Sequence, residues 1–283
     1  MTPLERFDAR WDLPDVSDGA SPVFLLAAGW RSGSTLLQRL VCSSGEVLVW
    51  GEPYGRSGLI PGLARAALAL RDDWPGSGHF APEQLYQDLS KTWIANLYPP
   101  AEALKRSFKA QLDTLLGEPA RQRGYPRFGL KEVRLHAVDA RFLQWIYPQA
   151  RFVFLVRNPW DAWASAKGAS WFLRWPDRKV ADALSFAKHW RWLMEGFAQW
   201  KESSAMLIRY EDLSAPGVDL KPLAQHLGVT ALDPTVFQAR PRGMSRPPLK
   251  LDGGEIATIA QVTAELATAL DYRGPTPRSA LAS

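Results

Sequence analysis

The sequence has very little cysteine and no long apolar run. Cys42 is the only cysteine among 283 residues, so no disulfide can form within the chain. No uninterrupted apolar run approaches the roughly 18 residues that a membrane-spanning helix needs. Residues 1–19 are charged and lack the apolar segment of a secretion signal. These absences predict a soluble protein of a reducing compartment, the cytoplasm, with no membrane span.

The basic residues do not form a block either. The chain has 34 Lys and Arg against 29 Asp and Glu, a formal net charge of +5. This mild, dispersed charge suits a small anionic ligand, and the basic residues do not cluster with aromatics as a nucleic-acid platform would. No nucleic-acid partner is therefore expected. Thirteen tryptophans are present, and some are expected to line a pocket for a flat or sugar-like substrate.

Apolar segments alternate with amphipathic ones along the chain. We predict strands at 22–28, 46–53, 127–133, 151–156 and 205–210. We predict helices at 34–44, 60–71, 82–97, 100–117, 136–147, from 159 onward, and at 181–200, 219–227 and 253–270. Strands that are apolar throughout and separated by helices predict a parallel sheet covered on both faces. The expected fold is α/β, a P-loop NTPase-like three-layer α/β/α structure with about five parallel strands. Residues 1–283 are expected to form a single domain with a helical insertion at 58–120.

The stretch "AAGWRSGSTLL" (27–37) stands between the first predicted strand and the next helix. Small residues there let backbone N–H groups surround an anion, and the helix N-terminus adds the positive end of a dipole. The ATP-binding form of this loop is G-x-x-x-x-G-K-[ST]. If Gly33 is its second glycine, Ala28 replaces the first glycine and Ser34 replaces the lysine. Thr35 then fills the last position. The sequence predicts an anion site that lacks the ATP-loop lysine.

A second anion site is predicted at the end of the fourth strand. Arg157 follows that strand, and Ser165 comes eight residues later in the next helix. Because the helix begins near Pro159, its two turns bring Ser165 back toward the strand end. A guanidinium and a hydroxyl there suit a phosphate. An ion pair of Arg157 with Asp161 is the alternative. Since the strand ends at Arg157 and not at an acidic Mg²⁺ ligand, no metal is predicted.

Four motifs, taken together, resemble one family. "AGWRSGSTLL" and "FVFLVRNPWDAWAS" resemble the 5′-phosphosulfate loop and the 3′-phosphate motif of sulfotransferases that use 3′-phosphoadenosine 5′-phosphosulfate (PAPS). "GLKEVRL" resembles a stretch of the carbohydrate and tyrosylprotein branches, and "LIRYEDL" a fourth stretch of the family. The resemblance implies transfer of a sulfuryl group from PAPS to a hydroxyl of an unidentified acceptor, such as a sugar, a peptide or a small metabolite. The product nucleotide would be 3′-phosphoadenosine 5′-phosphate (PAP), and no metal would be needed.

The resemblance also implies which residues would form the site. Arg31 takes the place of the loop lysine of the cytosolic branch and would contact the 5′-phosphosulfate, and Lys131 is the second catalytic cation. The residues expected to bind the nucleotide are Arg31, Ser32, Gly33, Ser34, Thr35, Arg157, Ser165 and Tyr210, although Tyr210 could instead pack in the core. A loop at 240–250 would cover the nucleotide, with Ser245, Arg246 and Lys250 as candidates and Arg240 and Arg242 as competitors.

Two residues are candidates for the catalytic base. The tyrosylprotein branch uses a glutamate that follows the loop, and Glu52 stands at a similar interval after Arg31. A second strand returning beside the first would put Glu52 next to the loop. The cytosolic branch uses a histidine shortly after its lysine, which makes His136 the alternative. We favour Glu52.

Two other functions compete with sulfuryl transfer. A P-loop kinase-like phosphotransferase would need the loop lysine and the Mg²⁺ ligand, and the sequence shows neither. A non-catalytic nucleotide-binding module would need the anion sites but no base and no second cation. The acceptor pocket is expected to involve the insertion 58–120 and the segment 167–179, whose aromatic residues are Trp171, Phe172 and Trp175.

Overall fold

A computed structural model describes most of the chain as strands and helices. The residues it describes are 1–53, 57–70, 95, 97–168, 174–175, 178–238 and 248–276, with only the backbone for 174, 175 and 178. The strands are β1 (Val23–Ala27), β2 (Val47–Gly51), β3 (Arg127–Glu132), β4 (Arg151–Val156), β5 (Arg174–Trp175), β6 (Arg178–Lys179) and β7 (Ala205–Arg209). The α-helices are α1 (Pro3–Trp11), α2 (Ser34–Cys42), α3 (Leu59–Leu68), α4 (Ala101–Leu112), α5 (Glu118–Arg121), α6 (Ala137–Ile146), α7 (Pro159–Ala166), α8 (Ala183–Ala198), α9 (Tyr210–Leu213), α10 (Lys221–Leu227) and α11 (Gly253–Ala269).

Five parallel strands form the central sheet in the order β2-β3-β1-β4-β7. Every residue of the central strand β1 is buried. Since successive side chains of a strand point to opposite faces, this burial means that the sheet is covered on both sides. The predicted α/β fold with a five-stranded parallel sheet flanked by helices is confirmed. That residues 1–283 form one domain stays a prediction.

The position of β2 corrects one expectation. β2 does not return beside β1, because β3 lies between them and pairs with both strands. Gly129 makes this close packing possible. A Cβ at that position would lie 2.7 Å from the backbone oxygen of Val23 and 3.0 Å from Cγ2 of Val49. Glu52, which follows β2, is therefore separated from the loop after β1 by the end of β3.

Several other elements differ from the sequence prediction. Helix α1 was not predicted, although Thr2 and Glu5 form a capping box at its start and Leu4 and Phe7 are buried. The predicted helix 100–117 is α4 followed by a π-helical turn at Asp113–Gly117. Strands β5 and β6, which were not predicted, form a two-stranded antiparallel sheet within the segment 167–179 that was assigned to the acceptor pocket. The predicted helix at 82–97 falls almost wholly outside the described residues, as does most of the loop at 240–250.

No helix within the described ranges combines the length and the apolar character that a membrane span requires.

Two glycine substitutions test the packing of the sheet. Gly129→Ala should lower the free energy of unfolding by roughly 1–3 kcal/mol, because the added methyl overlaps the backbone of β1. Gly62 in α3 has an ordinary helical backbone and no atom near an added Cβ. Gly62→Ala should therefore raise the free energy of unfolding by about 0.5–1 kcal/mol. Urea denaturation of both variants measures this contrast, and equal stability of Gly129→Ala and the unaltered protein would contradict the strand order.

Candidate active site

The loop between β1 and α2 has an alternating backbone. Gly29, Arg31 and Gly33 have positive φ angles of 89°, 61° and 89°, while Trp30 and Ser32 between them do not. When successive residues alternate between left-handed and right-handed backbone conformations, their N–H groups turn toward one point. They then form an anion-binding concavity. Helix α2 begins directly after Gly33, and no side chain caps its N-terminus. The first N–H groups of the helix thus add to the same concavity.

A hydrogen bond from Arg157 stabilises this loop. Its Nη1 donates to the carbonyl oxygen of Arg31 at 2.9 Å. A positive φ is costly for a residue with a Cβ, so the surroundings must hold Arg31 in that conformation. Arg157 is in turn anchored by its own carbonyl, which accepts from Nε1 of Trp190 at 3.1 Å. The end of β4 therefore fixes the shape of the loop that follows β1.

The side chain of Arg31 joins the two predicted anion sites. Its Nε donates to Oγ of Ser165 at 2.8 Å, across from the loop to helix α7. Burial and the charge of Arg157 lower the pKa of Arg31, in that order of size. Two guanidinium groups held this close in a partly buried place favour the binding of an anion.

Tyr210 packs directly against the loop. A Cβ on Gly33 would lie 2.1 Å from Cδ2 of Tyr210, so only glycine fits at that position. The guanidinium of Arg157 lies over the Tyr210 ring, 4.7 Å from its centre, in a cation–π contact. Tyr210 is half-buried and begins α9 directly after β7. Residues from β1, β4 and β7 thus meet at the carboxyl edge of the sheet.

Two polar atoms at this site are buried without a partner among the described residues. Oγ of Ser32 and Nε of Arg157 are buried and have no hydrogen-bond partner within the part of the chain that the structure describes. Buried polar groups are normally hydrogen-bonded, so such atoms call for an explanation. Ser34 is buried and Thr35 exposed in the first turn of α2. These hydroxyls and N–H groups are donors suited to an anionic group.

A second cluster of charges lies where β2 and β3 end. Nζ of Lys131 contacts Oε1 of Glu52 at 2.5 Å, and Lys131 is buried while the Glu52 side chain is 34 % exposed. Nη2 of Arg134 is 3.5 Å from Oε2 of Glu52. The guanidinium of Arg134 also binds both oxygens of buried Glu132. Burial raises the pKa of Glu132, and Arg134 opposes this rise. Glu132 and Arg134 were not predicted as site residues, although the alternating charges within the apolar "GLKEVRL" are a visible signal.

His136 has a structural position. It is the N-cap of α6, and its Nδ1 accepts from the N–H of Val138 at 3.3 Å. Its Nε2 contacts the carbonyl oxygen of Trp192 at 3.1 Å, and its ring stacks on the Trp192 ring at 4.3 Å. Burial lowers the pKa of His136, which favours the neutral ring. Both ring nitrogens are thus used inside the protein.

Several predicted residues cannot be placed. Ser245, Arg246, Arg240, Arg242, Trp171 and Phe172 lie outside the described residues, and only the backbone of Trp175 is described. Lys250 is described, and its carbonyl oxygen accepts from Nζ of Lys167 at 2.9 Å. The same Lys167 pairs with Glu255 of α11 at 2.6 Å. The segment around Lys250 is therefore tied to the end of α7, the helix that carries Ser165.

The chain belongs to the sulfotransferase family, whose model matches residues 22–234. The solved structures similar to it include the following three. One is the sulfotransferase domain from the curacin biosynthetic pathway, with 17% identity over 90% of this chain and 99% of that chain and a TM-score of 0.48. The second is the sulfotransferase domain from the Synechococcus PCC 7002 olefin synthase, with 18% identity, 91% and 98% coverage and a TM-score of 0.48. The third is a sulfotransferase from Alicyclobacillus acidocaldarius, with 14% identity, 89% and 96% coverage and a TM-score of 0.44. No curated protein matches the chain.

Asp139 of α6, near the charged cluster where β2 and β3 end, makes the stability of the fold depend on pH. Burial raises its pKa from 3.8 to about 6, while the N–H of His136 opposes the rise and Glu132 adds to it. The native state therefore holds a proton that the unfolded chain has lost between about pH 4 and pH 6, and its stability falls as the pH rises through that range. Asp139→Asn keeps an acceptor for the His136 N–H and removes the buried charge. It should raise the free energy of unfolding by about 1–3 kcal/mol at pH 8, and by about 1 kcal/mol less at pH 5.

Urea denaturation of both proteins at the two pH values measures this difference. An equal gain at pH 5 and pH 8 would show that Asp139 does not titrate in this range.

Proposed function

We propose that this sulfotransferase-family protein moves a sulfuryl group from PAPS to a hydroxyl of an acceptor. One observation carries the proposal. Arg31 donates to Ser165 and receives a hydrogen bond from Arg157, so the loop after β1 and the motif after β4 form one connected group. A nucleotide with an anion at its 5′ end and a second phosphate at its 3′ position would meet cations and hydroxyls from both.

The loop after β1 would hold the 5′ end of the donor. Its alternating backbone and the uncapped start of α2 offer N–H groups, and the Ser32 hydroxyl has no partner among the described residues. Arg31 would place positive charge beside the bridging oxygen, where negative charge grows as the sulfur–oxygen bond breaks. Its present contact with Ser165 would then be shared with the ligand.

The motif after β4 would hold the 3′-phosphate. Arg157 and Ser165 supply a guanidinium and a hydroxyl, and Nε of Arg157 has hydrogen-bonding capacity left. Tyr210, lying under Arg157 and against Gly33, would limit how deep the nucleotide sits. These contacts distinguish PAPS from nucleotides without a 3′-phosphate.

The chemistry would then be an in-line displacement at sulfur. The acceptor hydroxyl oxygen forms a bond to sulfur, the bond from sulfur to the 5′-phosphate oxygen breaks, and PAP leaves. Glu52 would accept the hydroxyl proton as general base. Lys131, whose Nζ lies 2.5 Å from Oε1 of Glu52, would balance charge on the sulfuryl oxygens. His136 is the weaker candidate for the base because both of its ring nitrogens have partners.

Two rival functions have less support. The acidic residue at the end of β3, Glu132, has both oxygens bound by Arg134, which leaves it poorly placed to hold the Mg²⁺ of a P-loop kinase. A non-catalytic nucleotide-binding module would not need the ion pair of Lys131 and Glu52. The absence of a nucleic-acid partner and a cytoplasmic location stay predictions from composition and the single cysteine.

Transfer of ³⁵S from labelled PAPS tests the proposal. The protein is incubated with EDTA and with phenols, sugars and tyrosine peptides as acceptors, and products are separated from PAPS. We expect labelled acceptor and an equal amount of PAP in at least one case. Transfer of ³²P from γ-labelled ATP that depends on Mg²⁺, without any ³⁵S transfer, would favour the kinase.

Arg157→Ala tests the 3′-phosphate site. The variant should bind PAP about 10- to 150-fold more weakly, which corresponds to a loss of about 1.5–3 kcal/mol for a hydrogen bond to a charged group. The affinity for AMP, which has no 3′-phosphate, should fall less. Arg151 lies exposed at the opposite end of the same strand, and Arg151→Ala should leave both affinities unchanged. Calorimetric titration measures them, and unchanged PAP binding by Arg157→Ala would refute the assignment.

Glu52→Gln tests the base. Glutamine keeps the size of the side chain but cannot take the acceptor's proton, so turnover should fall about 10²–10⁴-fold. The dissociation constant for PAP should stay within a factor of about three, since Glu52 would face the acceptor. His136→Asn, which keeps an oxygen suited to capping α6, should change turnover little. An active Glu52→Gln together with an inactive His136→Asn would move the base to His136.

A further inference from the structure

Arg134 is a buried cation that neither anion site uses. It follows β3, and only 6% of the residue is exposed. A guanidinium at such a depth is costly unless carboxylates surround it. The structure gives it two, Glu132 and Glu52. Arg134 thus connects the buried carboxylate of Glu132 with the partly exposed carboxylate of Glu52, which contacts Lys131.

Glu132 fixes the guanidinium in place. Nε of Arg134 donates to its Oε1 at 3.1 Å and Nη2 to its Oε2 at 3.0 Å. The N–H of Val133 donates to the same Oε1 at 2.8 Å. A two-point contact of this kind sets both the distance and the plane of the guanidinium. Arg134 therefore has little freedom to turn away from Glu52.

Arg134 and Lys131 act on different oxygens of Glu52. Lys131 contacts Oε1 at 2.5 Å, and Nη2 of Arg134 lies 3.5 Å from Oε2. The second distance is long for a hydrogen bond, but the charge attraction at that separation is still substantial. Each carboxylate oxygen has two lone-pair directions, so each keeps one for another donor. With a single anchor, the carboxylate would be able to rotate about its terminal torsion.

We propose that Arg134 is a positioning residue for Glu52. Held by Glu132, it fixes the second oxygen of the Glu52 carboxylate, so that an acceptor hydroxyl meets the base in one orientation. This inference rests on the proposed role of Glu52 as the base. Other charged groups of the described residues around the cluster are Asp139 of α6 and, acting on Asp139, Arg65 of α3. Within the described ranges neither forms an ion pair or a hydrogen bond with Glu52, whereas Arg134 and Lys131 both do.

The test removes the Arg134–Glu132 pair as a unit. Glu132→Gln/Arg134→Gln leaves no unpaired buried charge, so the variant is expected to fold, and circular dichroism and thermal melting check this. We expect kcat to fall about tenfold or more, because small misplacements of a catalytic group cost one to two powers of ten. The dissociation constant for PAP, measured by calorimetry, should stay unchanged. The acceptor for kcat is the first compound labelled in the ³⁵S transfer assay.

A matched control removes another ion pair. Arg141 and Glu202 form a contact of 2.7 Å between α6 and the segment before β7, and Arg141→Gln/Glu202→Gln should keep kcat. The double variant is also made in the Glu52→Gln background, where it should cause no further loss of kcat. A positioning residue acts only through the group it positions, so this lack of additivity is the specific signature.

The outcomes separate the inference from the function on which it rests. Normal kcat in Glu132→Gln/Arg134→Gln, while Glu52→Gln is inactive, overturns the role of Arg134 alone. The same kcat loss with and without Glu52, or a loss of PAP affinity, shows a general structural role and also overturns it. An active Glu52→Gln overturns the proposed base instead. If the double variant does not fold, Arg134→Lys keeps the charge beside Glu132 but loses the two-point contact, and the same kcat loss with unchanged PAP binding is expected.

Discussion

The hydrogen bond from Arg157 to the carbonyl oxygen of Arg31 is the contact on which the candidate site depends. It joins the carboxyl ends of β4 and β1 and supports the unfavourable positive φ of Arg31. With that φ, the backbone conformation alternates between left-handed and right-handed from Gly29 to Gly33, and the N–H groups turn toward one point. The same conformation carries the Arg31 side chain to Ser165. This bond thus supports the shape of the loop and the approach of the two predicted anion sites.

The order of the strands determines where the charged residues at the ends of β2 and β3 lie relative to the loop. β3 lies between β2 and β1 because Gly129 lets the neighbouring backbone and valine side chains come close. Its final residues, Lys131 and Glu132, therefore stand between the loop and Glu52. Glu52, which follows the edge strand β2, is separated from the loop by the end of β3, and Lys131 at that end is its direct ionic partner.

Much of the fold could be predicted from the sequence. Continuous apolar segments predicted all five strands of the central sheet to within one or two residues, because strands of a sheet covered on both faces are mostly apolar. The order of the strands could not be predicted in this way, since periodicity does not tell which strands pair. Helix α1 was missed although Thr2 and Glu5 form a recognisable capping box. A short helix of mixed polarity gives a weak signal unless its cap is considered first.

The site was predictable where its residues are close in sequence. The loop at 27–37 and the pair Arg157 and Ser165 each lie within a short segment, so their spacing alone indicated an anion site. The ion-pair network of Glu132 and Arg134 was not predicted. Arg134 reaches Glu52, at 3.5 Å, only in the folded chain, because the two residues are some eighty positions apart in sequence. The contact of Tyr210 with Gly33 is likewise a property of the fold, arising where β7 ends beside the loop.

The affinity of the unaltered protein for PAP and for AMP, compared by calorimetry in the presence of EDTA, tests the central claim most directly. The two nucleotides share the adenosine and the 5′-phosphate and differ only in the 3′-phosphate. If Arg157 and Ser165 bind that phosphate beside the loop held by Arg31, PAP should bind at least about tenfold more tightly than AMP, as expected for a hydrogen-bonded charged group. Equal affinities would contradict the account, because the two anion sites would then not serve one nucleotide.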